Sequence, residues 1–177
     1  MSHNNFVSEL CSILVKNQVI KKDEADALVL AFKKSEKPQF DVFLLDEGLV
    51  SRQNLLNALS EYFHVPAFDC VGYFFEREEL HKFPKDFLLR HAIIPVERDQ
   101  NMYTIVASRP SEPALLSGIG MHVSYDIRFM VGLKQDILDS INEFYDFAPT
   151  QKTEDENLIE ERREREEVRE LADEERD

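Results

Sequence analysis

An α+β fold is predicted for this chain of 177 residues: N-terminal helical hairpins packed on a small C-terminal three-stranded α/β unit, followed by a charged helical tail. Three observations predict it. Ser12–Ile20 and Val42–Val50 spell one helical phrase twice, thirty residues apart, and each copy is followed by a second amphipathic stretch. Further on the apolar spacing changes from the helical period to strict alternation, the period of a strand with one face buried. Past Pro149 the composition changes abruptly, and charged residues dominate 154–177. The expected divisions are 1–64, 65–148 and 149–177.

In the first hairpin Phe6, Leu10, Ile13 and Leu14 recur at three- and four-residue intervals, one stripe of a helix. Gln18 to Lys21 breaks the stripe, and Asp23 is the expected cap of a second helix whose apolar side is Ala25, Leu28, Val29 and Phe32. Lys37-Pro38 closes it, because proline disfavours helix in the residue before it. The second hairpin repeats the plan with Phe40, Phe43, Leu44 and Leu45. Gly48 suits a left-handed helix stop, and Ser51 is placed to cap the stretch carrying Leu55, Leu56, Leu59 and Phe63.

Val65 to Asp69 reads as an extended exit, since Pro66 cannot continue a helix and is unwelcome in a central strand. Tyr73, Phe74 and Phe75 follow. Their rings are read as filling the seam between the two halves, with a partner-contact surface as the alternative. Pro84 fits the first turn of a helix through Arg90, which feeds a strand from Ile93 to Glu97. Arg98 to Asn101 is a turn and Met102–Ala107 the return strand of a hairpin. Pro110 and Pro113 bracket the start of a short helix that Gly118 and Gly120 end. Tyr125, Ile127, Phe129 and Val131 alternate with Ser124, Asp126, Arg128 and Met130 as a third strand. Leu133, Ile137, Leu138, Ile141, Phe144 and Tyr145 return to helical spacing.

Charge narrows the function. The formal net charge is −14, and residues 151–177 alone carry 13 acidic against 6 basic residues. A field of this sign repels phosphate backbones and anionic lipid, so neither nucleic-acid binding nor electrostatic membrane attachment is expected. In the tail, Glu161 with Arg165, Arg162 with Glu166, Arg163 with Glu167 and Arg169 with Asp173 stand at helical four-residue spacing, which favours a solvated helix. Leu158, Ile159, Val168 and Leu171 are too sparse for a sustained coiled-coil seam. The N-terminus lacks the basic-then-apolar plan of a signal peptide, and no apolar run nears the roughly twenty residues of a membrane span. The chain is therefore read as cytoplasmic, with no direct membrane insertion.

Catalytic and metal chemistry find no footing. A phosphate loop needs GxxxxGK[ST] so that backbone amides and a lysine hold the phosphates, and none of Gly48, Gly72, Gly118, Gly120 or Gly132 begins one. Cys11 and Cys70 belong to no CxxC pair and are expected as buried thiols. His64, Asp69 and Cys70 match no strong zinc spacing. Solvent-exposed imidazoles are the default for His81 and His91. Ser108, Ser111 and Ser124 lack a GxSxG setting. No catalytic residue, cofactor site or metal site is assigned.

The order of several blocks carries a resemblance. Phe43–Leu59 followed by Val65-Pro66, then Phe83–Val96, then Tyr103–Pro110, resemble successive blocks of the N-terminal domain of general secretory pathway protein E and the type IV pilus assembly ATPases. Val123–Tyr145 resembles that domain's closing strand and helix. The likeness spans residues 6–147 and includes no motor. It implies a stand-alone, noncatalytic docking or regulatory module whose partner is a protein component of a type II secretion or type IV pilus machine. Part of the family binds cyclic di-GMP through a duplicated motif that opens with Arg-Leu-Gly and ends in glutamine. In the second copy here, Leu44, Gly48, Val50, Leu55 and Leu59 meet its apolar and turn positions, whereas Gln39, Asp41 and Tyr62 replace arginine, glycine and glutamine. The first copy has Glu9, Leu10 and Cys11 at its opening, Gln18 at the turn and Phe32 at its end. Each lost arginine removes charge-assisted hydrogen bonds of about 1.5–3 kcal/mol, and acids at Glu9 and Asp41 would repel the ligand. Nucleotide sensing through a degenerate motif therefore stands as the alternative to docking.

Overall fold

In the computed structural model, residues 2–147, 161–169 and 171–172 are described. The helical half comprises α1 (Ser2–Lys16), α2 (Lys22–Ser35), α3 (Phe40–Asp46) and α4 (Arg52–Phe63). The second half adds α5 (Arg77–Leu80), α6 (Lys85–His91), β1 (Ile93–Asp99), β2 (Met102–Ala107), α7 (Pro113–Gly120), β3 (Asp126–Val131) and α8 (Lys134–Phe144).

The repeated phrase is a repeated backbone. Gln18 and Gly48, thirty residues apart, both adopt the left-handed conformation, with φ of 60° and 65°. Val19 N–H donates to Leu14 O at 2.9 Å and Leu49 N–H to Leu44 O at 3.0 Å. Gln18 N–H reaches Val15 O at 3.0 Å and Gly48 N–H reaches Leu45 O at 3.1 Å. These paired bonds form the Schellman stop, which satisfies carbonyls the helix end would otherwise orphan. Glycine adopts this φ freely, but glutamine must push its Cβ toward a carbonyl. Gln18→Gly is therefore expected to stabilise the protein by about 0.5–1 kcal/mol, read as a higher urea midpoint at unchanged m-value.

The helix starts differ between copies. Ser51 caps α4 as expected, its hydroxyl accepting from Asn54 N–H at 3.2 Å. The expected cap of α2 at Asp23 is corrected: Lys21 holds the N-cap position, and Glu24 reaches back to accept from Lys21 N–H at 2.9 Å. A lysine side chain has no acceptor for a cap, so the acid three residues on satisfies a different donor. Pro84 stands at the N-cap of α6, one residue ahead of its expected place. The four-residue α5 left no periodic signature and was not anticipated.

The sheet has the order β1-β2-β3, antiparallel between β1 and β2 and parallel between β2 and β3. Central β2 is buried from Tyr103 to Ala107. Pro95 lies in β1, which among the described residues is an edge strand beside β2, and the register slips between Pro95 and Glu97, the kind of irregularity an edge strand tolerates. β3 begins at Asp126, so Ser124 and Tyr125 fall outside it. The extended exit pairs too: Phe68 N–H donates to Val131 O and Val131 N–H to Pro66 O, each at 2.9 Å.

Gly132 follows β3 where the chain passes close over β2. A methyl group there would stand 2.6 Å from Val106 Cγ1, inside van der Waals contact with a fully buried side chain. Gly132→Ala is expected to cost about 1–2 kcal/mol by forcing a packed strand to shift, measured as a lower urea midpoint.

Two apolar clusters fill residues up to 145, which form one compact unit. Phe6, Leu10, Leu14, Phe40, Leu44 and Leu59 lie in the helical one. Phe75, Phe83, Tyr103, Ile105, Ile137 and Ile141 lie in the other. Val131 and Leu133, where β3 runs into α8, pack with the helical cluster and so form the seam. This corrects the expected place of the aromatic run. Phe75 is buried inside the α/β cluster, its ring centroid 4.7 Å from that of Tyr73 and 5.7 Å from that of Phe144.

Residues 146–177 form a second unit. Within it 161–169 and 171–172 are helical, and Val168 and Leu171 are exposed. Leu158, Ile159 and Asp173 lie outside the described residues.

Candidate functional site

Two arginines strap the halves together in opposite directions. Arg52, on α4, donates to Asp136 Oδ1 at 2.9 Å and Oδ2 at 2.5 Å, a bidentate pair across 84 residues of sequence. Asp136 sits in the first turn of α8, where a carboxylate also meets the positive end of the helix dipole. Arg109, just past β2, donates to Asp41 Oδ1 at 3.4 Å and lies 4.5 Å from the centroid of the Phe6 ring. Asp41 is only 4% exposed, and burial pushes its carboxyl above the usual range while Arg109 and the backbone amides of Asp41 and Val42 pull it back. Sequence reading named neither arginine, because each finds its carboxylate in the opposite half.

A cleft of about 830 Å³ opens between α1 and α2, with Arg109 at its edge. Val7 and Val15 of α1 and Val29 and Phe32 of α2 supply apolar lining. Lys16, Lys22, Lys33 and Lys37 also line it, together with one acid, Asp26. Cys11 lies in the wall, its thiol pushed up to about 11 by burial and then by Asp26, so it is no thiolate nucleophile near neutrality. Cys70 is buried in the α/β half, with its thiol pushed up to about 12 by burial first. Among the described residues, no group of three or more His, Cys, Asp and Glu is placed to hold a metal ion.

The positions named from the cyclic di-GMP motif fall elsewhere. Leu44, Val50, Leu55 and Leu59 are buried in the helical core, and Gly48 lies in the stop after α3. None of the five lines the cleft, though Cys11, Phe32 and Gln39 do. Asp41 is turned to Arg109 rather than to solvent. Of the aromatic run, Phe74 is 59% exposed, Tyr73 half-buried and Phe75 buried. Phe74 sits beside Phe144, with ring centroids 5.3 Å apart.

Residues 75–151 match the MshEN domain family. Solved structures agree over more of the chain. MshE with cdg superposes with a TM-score of 0.63 at 18% identity, covering 77% of this chain and 98% of that one. The N-terminal domain of XpsE gives 0.55 at 18% identity, covering 78% and 94%. No curated protein matches. Residues 75–151 are thus similar to the MshEN domain, within a body that has the fold of MshE and of the N-terminal domain of XpsE.

Proposed function

We propose that this chain is a noncatalytic docking module that contacts a protein component of a secretion or pilus machine in the cytoplasm. One observation carries the reading: the fold is that of the non-motor domain of such ATPases, while no glycine of the chain opens a phosphate loop. Among the described residues no helix is long and apolar enough to cross a membrane. Capture from native lysate tests it, with the bound proteins identified by mass spectrometry. Recovery of a secretion or pilus component is expected, and its repeated absence would overturn the reading.

A second reading is sensing of cyclic di-GMP, favoured by the similarity to MshE, which was solved with cdg. Against it stand Glu9 and Gln39 where the motif carries arginine. Arg109 supplies a guanidinium to the cleft from outside the motif, but it is already engaged with Asp41. Calorimetry with cyclic di-GMP separates the readings: heat released at micromolar ligand would put sensing ahead of docking.

A further inference from the structure

The α1–α2 cleft takes its cations from residues at both ends of the helical hairpin. Lys16 and Lys22 flank the turn of the hairpin, and Lys33, Lys37 and Arg109 flank the open end. Lys22 and Lys33, eleven residues apart on α2, are separated by about 16 Å along the axis at 1.5 Å per residue. Between them runs the apolar floor of Val7, Val15, Val29 and Phe32, interrupted by Asp26 on the α2 side.

Three of the five cations already have acidic neighbours. Lys16 pairs with Glu61 at 3.2 Å, Lys37 with Asp46 at 3.2 Å and Glu47 at 3.5 Å, and Arg109 with Asp41. Lys22 and Lys33, both exposed, make no ion pair among the described residues. So, among the described residues, one ammonium without an ion pair remains near each end of the apolar lining, on a chain that is otherwise strongly acidic. A compact anion with a single head would reach only one of them. A short helix reaches both: about three turns cover 16 Å, and side chains at i, i+4 and i+7 lay one apolar stripe along the floor.

We propose that this cleft seats an amphipathic helix of a partner protein, about three turns long, apolar along one stripe and acidic near both ends. The inference rests on the docking reading and names its surface. Lysine stems extend the apolar contact while their ammonium groups meet the terminal acids. The acids set orientation and association rate more than affinity, and raised salt weakens the complex.

The test uses a fluorescein-labelled helical peptide of about 14 residues with leucines on one stripe and glutamates at both ends, and a twin with lysines in place of the glutamates. Fluorescence anisotropy is recorded for the full chain and for the variant K22E/K33E, whose fold is checked by circular dichroism. The glutamate peptide is expected to bind the native chain at least tenfold more tightly than the variant, and the lysine peptide to show the reverse preference. Equal binding of both peptides to both proteins would overturn the proposal. Displacement of the glutamate peptide by micromolar cyclic di-GMP would overturn it too, marking the cleft as a nucleotide site. The lysate capture, run with both proteins, separates this proposal from the docking reading. Loss of the secretion or pilus component with K22E/K33E alone supports the cleft. Retention by both excludes the cleft and keeps docking, and absence from both removes docking and the proposal with it.

Discussion

Replacing Arg109 by methionine is expected to destabilise the protein by about 3 kcal/mol near pH 7, the largest effect of any single change considered, because it strands a buried carboxylate. Asp41 is 4% exposed, and Arg109 is the largest influence holding its charge against the cost of burial. The cation–π contact with Phe6 goes as well, worth about 0.5–1 kcal/mol. The pH dependence distinguishes this from lost packing. Asp41 is already raised above its ordinary 3.8 in the native protein, so the native state holds its proton more tightly than the unfolded chain does. The group's contribution to stability therefore falls as pH rises from that value toward the native pKa. Without Arg109 the native pKa climbs further and the fall continues to higher pH. The deficit of R109M relative to the native protein should shrink near pH 4 and be greatest near pH 7. Urea midpoints at the two pH values measure it. In the R109M background, Asp41→Asn should return much of the loss at neutral pH, whereas a deficit equal at both pH values would refute the ionic account.

Arg52→Met is the second large change, expected to cost about 2 kcal/mol. The figure is set lower because the arginine side chain is 42% exposed, so water reaches one side of the pair and screens it. What raises it above an ordinary surface bridge is the bidentate geometry onto Asp136, whose side chain is 9% exposed. Asp69 stands 3.4 Å from the same guanidinium, so removal of Arg52 also leaves two carboxylates near each other. A double-mutant cycle with Asp136→Asn should recover a coupling energy of at least about 1 kcal/mol.

The features that sequence reading reached are those whose cause is local. Gly48 and Ser51 fix the helix end and start by their own backbone freedom and hydroxyl, whereas the left-handed φ of Gln18 emerged only in the structure. Pro113 marks the start of α7 in the same way. The hairpin of β1 and β2 followed from a turn and a change of period. What escaped was set by tertiary partners. Nothing near Arg109 or Arg52 announces a carboxylate 68 or 84 residues away. The cleft between α1 and α2 depends on how far those helices splay, and their apolar stripes are equally compatible with closed packing. The aromatic run was read for composition, yet whether each ring faces the core or solvent depends on the turn at Gly72, a residue with φ of 81°. The proposed docking surface is no more legible, since a lysine without an ion pair shows only when its neighbours' acids are known to be engaged elsewhere.

Since each half lends an arginine to the other, neither is suited to life as an excised fragment. A piece beginning at residue 75 would discard the strand exit that hydrogen-bonds Val131, leave Asp136 without its guanidinium and bare the apolar seam at Val131 and Leu133 to water. A piece ending at residue 64 would leave Asp41 without the guanidinium of Arg109. The unit that folds together is therefore longer than the stretch matched by the MshEN family.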